Sequence, residues 1–180
     1  MRIHAWLTVL CLCGCSVNST RSIEQHEHVP PRSESNLSVK VGEQAVAFAL
    51  PRTDGRSITL GPIKGTVFLL DFWATWCGPC RAAMPVMQKL HDEYAGKPFK
   101  VIGVNTWEQD ASAAKTFMEK HGYTYPCVVG GDGLAQAYGI TGIPTLLLIN
   151  KDGTIALIEV GLNDALGSSL RSAIDAALAK

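Results

Sequence analysis

The chain has 180 residues, and its 16 lysines and arginines balance 16 aspartates and glutamates, so the formal net charge at pH 7 is zero. With no basic stripe it has no footprint for nucleic acid. A hydrophobic share of 47% supports one domain with a single core rather than a disordered chain.

Met1 to Leu12 carries one early cation, Arg2, followed by the apolar run Ala5-Trp6-Leu7-Thr8-Val9-Leu10-Cys11-Leu12. That run is too short to anchor the chain across a bilayer and reads as a signal peptide over residues 1–14. Leu12-Cys13-Gly14-Cys15 resembles a bacterial lipoprotein box, in which the cysteine becomes the acylated first residue after cleavage. The resemblance implies a lipid anchor on Cys15 and a chain held at the membrane on the extracytoplasmic, periplasmic side. A general secretory signal with a different cut site is the alternative. Loss of the signal removes Cys11 and Cys13 and also Arg2, which leaves about one net negative charge. Lipid caps Cys15, so Cys77, Cys80 and Cys127 remain as thiols.

Residues 15–40 are polar, broken by Pro30-Pro31, and poor in large apolar groups, the composition of a flexible tether. Roughly 25 such residues reach about 25 to 30 Å. His26, Glu27 and His28 could form a weak metal site, but a solvated linker explains them better. Asn18-Ser19-Thr20 and Asn36-Leu37-Ser38 match a glycosylation sequon, a reading the bacterial lipoprotein-like prefix argues against.

Residues 41–180 form the expected domain. A hairpin is predicted from Phe48–Leu50 and Ser57–Leu60 around Asp54-Gly55, followed by a buried strand, Val67-Phe68-Leu69-Leu70-Asp71-Phe72-Trp73, apolar on both faces except for Asp71. Met84, Met87, Leu90 and Tyr94 recur at helical spacing and predict a helix ending near Ala95, with Gly96 as its stop. A strand over Lys100–Asn105 and a helix over Ala111–His121, with Ala114, Phe117 and Met118 inward and Gly122 as stop, complete a βαβ unit. Pro126–Val129 and a helical turn near Leu134–Tyr138 lead to strands Thr145–Ile149 and Ile155–Val160, joined at Lys151-Asp152-Gly153. Leu166, Leu170, Ile174 and Leu178 mark a last helix from Asn163 or Asp164. The sum is an α/β domain whose mixed central sheet is covered by helices on both faces.

Trp76-Cys77-Gly78-Pro79-Cys80 lies between the Asp71 strand and the Met84 helix, which puts Cys77 at a helix N-terminus. Free backbone N–H groups and the helix dipole favour a thiolate there. A thiol of pKa about 8.5 is about 3% ionised at pH 7, and one lowered to about 7 is roughly half ionised. Cys77 is the expected nucleophile, and Cys80, one turn further in, the resolving thiol. Gly78 allows the tight turn, and Pro79 suits an early helical position. A structural disulfide is the bland alternative. Zinc would need a second pair of ligands, and none follows in the globular part.

The segment Asp71-Phe72-Trp73-Ala74-Thr75-Trp76-Cys77-Gly78-Pro79-Cys80-Arg81 with Met84-Pro85 resembles the active-site region of the thioredoxin superfamily, and is most similar to its extracytoplasmic TlpA/ResA branch. Gly42 to Leu50, Val101 to Asn105 and Gly142-Ile143-Pro144-Thr145 extend the likeness from about Val41 to the C-terminus. The resemblance implies a thioredoxin fold with an N-terminal hairpin extension and a central βα insertion. It also implies a cis Ile143-Pro144 bond beside the dithiol, with Trp76, Gly78, Pro79, Ile143 and Pro144 contacting substrate. The cofactor it implies is none beyond the redox-active Cys77–Cys80 disulfide. The partners it implies are client proteins with disulfides, apocytochromes c among them, and a membrane thiol-disulfide electron donor; the chain is expected to be a monomer.

Two acids are candidate proton handlers. Asp71 sits in apolar sequence where thioredoxins carry a buried acid and the TlpA/ResA branch often has Asn. Glu108 lies where some members of that branch place an acid near the dithiol. Burial raises a carboxyl pKa toward the useful range, which favours Asp71 over Glu108, the latter opening a polar stretch. Trp73 is expected in the core and Trp76 over the dithiol. Cys127, in an apolar run, is expected to be a buried hydrophobe, with a third redox thiol as the alternative. A peroxiredoxin-type peroxidase would need a Pro-x-x-x-Thr/Ser-x-x-Cys setting, and a copper chaperone a CxxxC pair with a distant His; neither fits Cys77 and Cys80.

Overall fold

The computed structural model describes residues 37–61, 65–110 and 112–180. The signal peptide, Cys15 and nearly all of the tether lie outside the described residues.

Phe48–Pro51 (β1) and Ser57–Leu60 (β2) pair antiparallel, Phe48 opposite Leu60. Their turn closes where Asp54 accepts the Arg56 N–H at 3.2 Å and Gly55 takes φ +83°, a conformation glycine adopts freely. Val67–Trp73 (β3) leads through a short loop into Gly78–Glu93 (α1), and Phe99–Asn105 (β4) follows. Ala113–His121 (α2) ends on Gly122 at φ +70°, the left-handed stop its glycine predicts. Cys127–Val128 (β5), Asp132–Ala137 (α3), Thr145–Ile149 (β6), Ile155–Val160 (β7) and Leu166–Leu178 (α4) complete the described chain.

The main sheet has the order β5-β4-β3-β6-β7. Strands β3, β4 and β5 run parallel, while β6 is antiparallel to both β3 and β7. The apolar β3 explains its central place: Val67, Leu69 and Trp73 join one core, Leu70 and Phe72 the other. Met84, Met87 and Leu90 of α1, Met118 of α2, and Leu170 and Ile174 of α4 fill the first core. Leu134 and Ala135 of α3 join Phe48 and Leu60 of the hairpin in the second. Helices therefore flank a mixed sheet, with the hairpin appended and α2 and β5 inserted between β4 and α3.

The sequence expectations differ at the edges. Phe117 is only partly buried, and at the end of α4 Ala177, not Leu178, takes the fully buried place. Helix α4 starts at Leu166, after a turn in which the Leu166 N–H donates to the Asn163 carbonyl at 3.2 Å. No side chain caps it, so its start lacks the signal that capping residues give.

Candidate active site

Cys77 and Cys80 form a disulfide with 5.3 Å between their Cα atoms. Strand β3 delivers the pair at its carboxyl end, and Cys77, with extended backbone at φ −79° and ψ 105°, is the N-cap of α1. Its Sγ accepts the Cys80 N–H at 3.2 Å, as a capping side chain does for a helix's first free donors. The first turn contains no acid, so no side chain of that turn opposes the dipole's preference for a Cys77 thiolate in the reduced state. Cys77 is 5% exposed and Cys80 fully buried, so the outer sulfur is the one a partner reaches first.

Ile143-Pro144 is a cis peptide, as the family likeness implies. The Ile143 carbonyl oxygen lies 3.7 Å from Cys77 Sγ. The Pro144 carbonyl accepts the Gly161 N–H at 2.8 Å, and Thr145 Oγ1 donates to the Gly142 carbonyl at 2.8 Å. This loop is therefore tied down on both sides of the proline while it borders the outer sulfur.

Asp71 is buried, and neither carboxylate oxygen has a hydrogen-bond partner among the described residues. Burial raises its carboxyl from 3.8 to about 7. Across the sheet Asp71 stands opposite Gly103, and Gly103 opposite Cys127. A Cβ at Gly103 would sit 3.0 Å from Trp73 Nε1, 3.2 Å from the Tyr125 ring and 3.4 Å from Cys127 Sγ, so the glycine makes room for these groups to close over the sheet. Burial pushes the Cys127 thiol up to about 12. The indole of Trp73, close by without a well-aligned hydrogen bond, pulls the other way, and the charge of Asp71 adds to the rise. This chemistry makes Cys127 an inert core residue.

Glu108 is not a free, solvated acid. Its carboxylate accepts the Thr75 N–H at 2.8 Å, the Thr75 hydroxyl at 2.9 Å and Asn105 Nδ2 at 3.2 Å. It thus holds the loop that carries Cys77. Next to it, Trp107 has φ +55°, a left-handed conformation that costs a bulky residue about 1–3 kcal/mol and persists only where its surroundings fix it. Its carbonyl accepts the indole N–H of Trp76 at 3.0 Å, and Trp76 itself is 58% exposed. Trp73 is fully buried, as expected.

Thr75, Asn105, Trp107 and Asp132 escaped the sequence reading. The available signal was topological: Asn105 to Glu108 leave the carboxyl end of β4 beside that of β3, where ligand sites of open α/β sheets gather. A cleft of about 350 Å³, lined by Thr75, Ser112, Thr116, Phe117 and Lys120 among others, adjoins this loop. A roomier cleft of about 630 Å³ lies between α1 and the end of α2, lined by Pro85, Gln88 and Tyr123 and not by either cysteine of the disulfide. Among the described residues no group of three or more His, Cys, Asp or Glu is placed to hold a metal ion.

Comparison with known proteins agrees with this geometry. The model of the Redoxin family matches residues 40–176. The thiol-disulfide oxidoreductase ResA of Halalkalibacterium halodurans is 38% identical over 123 residues, 68% of this chain and 69% of that protein. The thioredoxin-like protein YneN of Bacillus subtilis is 35% identical over 131 residues, 72% of this chain and 76% of that one. Among solved structures, a candidate DsbE thiol:disulfide interchange protein from Chlorobium tepidum superposes with a TM-score of 0.70 at 36% identity, covering 78% of this chain and 99% of the other. The chain therefore belongs to the Redoxin family, as a TlpA/ResA-like member of the thioredoxin superfamily with the thioredoxin fold, and is a thiol-disulfide oxidoreductase.

Proposed function

We propose that this oxidoreductase reduces disulfides of extracytoplasmic client proteins, with Cys77 as nucleophile and Cys80 as resolving thiol. The observation that carries the reading is the placement of Cys77 Sγ, at the N-cap of α1 and 3.7 Å from the Ile143 carbonyl, with Cys80 behind it. In the reduced enzyme the Cys77 thiolate attacks one sulfur of the client disulfide, and the other leaves as a thiolate that takes a proton. Cys80 loses its proton and attacks Cys77 Sγ. The client's first sulfur departs as a thiolate, and the enzyme is left with the Cys77–Cys80 disulfide. Two electrons have moved from enzyme to client, and the structure corresponds to this oxidised state.

Asp71 is the group we assign to accept the Cys80 proton. A buried carboxyl at about 7 is matched to neutral pH, whereas Glu108 is committed to Thr75 and Asn105. Trp76, Gly78, Pro79, Ile143 and Pro144 form the client-facing surface. The Ile143-Pro144 backbone is placed to run beside an extended client segment and hold its sulfur in line. Residues 1–14 act as a signal peptide, Cys15 carries lipid, and residues 16–40 tether the domain to the membrane on its periplasmic side. A reductant so placed draws electrons from a membrane thiol-disulfide donor, and apocytochromes c are among its clients.

The test is trapping. A Cys80→Ser variant should hold clients as mixed disulfides through Cys77, released by dithiothreitol and identified by mass. A Cys77→Ser variant should hold none. Equal trapping by both variants, or trapping through Cys80 alone, overturns the assignment. The midpoint potential, measured against glutathione, fixes the direction: about 30 mV is about 1.4 kcal/mol for this two-electron couple, and a value above that of the clients would make the enzyme an oxidant.

A further inference from the structure

The turn that follows β4 is constrained from several sides. Trp107 is the one non-glycine residue among the described residues with positive φ, and four hydrogen bonds surround it. The Thr106 N–H donates to the Trp73 carbonyl at 3.0 Å, which ties the turn to the end of β3. Thr106 Oγ1 and the Trp107 N–H both donate to Asp132 Oδ1, at 3.1 Å and 2.7 Å, which ties it to the first residue of α3. The Trp107 carbonyl then receives the Trp76 indole N–H at 3.0 Å. Trp76, next to the outer cysteine, would otherwise be an exposed side chain with free rotamers.

We propose that Asp132 is a positioning residue for client engagement, acting through the Trp107 carbonyl to hold the Trp76 indole beside the Cys77–Cys80 pair. This role rests on the proposed reduction of protein disulfides, which gives Trp76 a client to meet. Without the Asp132 acceptor, the Thr106 hydroxyl and the Trp107 N–H lose their shared partner; Trp107 relaxes to negative φ, its carbonyl turns away, and the indole is released. An indole held in place before the client arrives loses less side-chain freedom on binding. Asp132 touches neither sulfur in this arrangement, so its effect falls on binding and not on the redox chemistry.

The experiment compares Asp132→Ala with Asp132→Asn in the full chain. The Trp76 indole N–H resonance, assigned by its loss in Trp76→Phe, should shift and broaden in Asp132→Ala and return in Asp132→Asn, which keeps the Oδ1 acceptor. With insulin as the disulfide client, Asp132→Ala should raise KM by about two- to tenfold, the range of one lost hydrogen bond, with kcat and midpoint potential unchanged. In a Trp76→Ala background it should add nothing further. Trp107→Gly should preserve the Trp76 resonance, because glycine adopts φ +55° freely and keeps the carbonyl. An unmoved Trp76 resonance in Asp132→Ala overturns the bridge, and so does a changed potential or an additive double variant. If the parent enzyme reduces no insulin, the functional reading fails instead, and the resonances still decide whether the bridge exists.

Discussion

Glu108 grips Thr75 at two points, accepting its backbone N–H at 2.8 Å and its hydroxyl at 2.9 Å. This couples the turn after β4 to the residue two positions before the outer cysteine. Charge-assisted hydrogen bonds of this kind are each worth about 1.5–3 kcal/mol, and removing the acceptor strands a partly buried N–H. Glu108→Ala should therefore lower the stability of the oxidised protein by about 2–3 kcal/mol in urea denaturation. Glu108→Gln, which keeps one carbonyl oxygen, should lose less. An unchanged midpoint in Glu108→Ala would mean that the carboxylate is solvated in solution.

Asp71 gives a pH dependence of known sign. In the unfolded chain its carboxyl titrates near 3.8, in the folded protein near 7, because burial penalises the charge. Between those values the folded state binds the extra proton, so stability falls as pH rises through the window. The penalty is absent below 3.8 and complete above 7, where it amounts to about 4 kcal/mol at about 1.4 kcal/mol per pH unit. Asp71→Asn is neutral throughout and should lack this slope. The stability difference between variant and parent should therefore grow in the variant's favour from pH 4 to pH 8. A pH-independent difference would show that the carboxylate is ionised and hydrogen-bonded in the fold.

What could be read from the sequence follows from the range of the forces involved. The β3 run, the hairpins at Asp54-Gly55 and Lys151-Asp152-Gly153, and the Gly122 stop are local signals, and each element formed where its residues implied. The Cys77 cap is local too, since its sulfur meets the Cys80 N–H one turn on. Contacts of Thr75 with Glu108, Trp76 with Trp107 and Trp107 with Asp132 span 33, 31 and 25 residues. They depend on the parallel register of β3 with β4, in which Trp73 stands opposite Asn105. Without that register Glu108 looks like the start of a solvated stretch and Asp132 like any helix-opening acid.

Two glycines near the site should differ in their tolerance of alanine. A Cβ at Gly131 would fall 2.5 Å from Val104 Cγ1 and 2.9 Å from the Asn105 carbonyl oxygen, part of the backbone that leads to Glu108. At Gly103 the nearest atom would be Trp73 Nε1 at 3.0 Å, a longer approach and to a side chain, with no backbone atom among the nearest. Overpacking typically costs about 1–3 kcal/mol. Gly131→Ala should lie at the upper end and Gly103→Ala below it in thermal or urea unfolding. The reverse order would mean that the Trp73, Tyr125 and Cys127 side chains are packed more rigidly than the turn beside Asn105.

Cys127 tests whether a third thiol takes part. It is 1% exposed and its thiol is pushed up to about 12 by burial, so at pH 8 about one molecule in 10,000 carries the thiolate that alkylating reagents and disulfides require. The reduced native protein should label rapidly with iodoacetamide at Cys77, the outer thiol, far more slowly at the buried Cys80, and at Cys127 only once urea unfolds it. Cys127→Ala is the cleaner variant, since serine would place a hydroxyl in a site that offers burial without solvent. It should keep the turnover of the parent enzyme while losing modest stability to the small cavity left behind. Labelling of Cys127 at the rate of Cys77 in the folded protein, or loss of turnover in Cys127→Ala without unfolding, would instead make it a relay thiol reached by opening of the β5 edge.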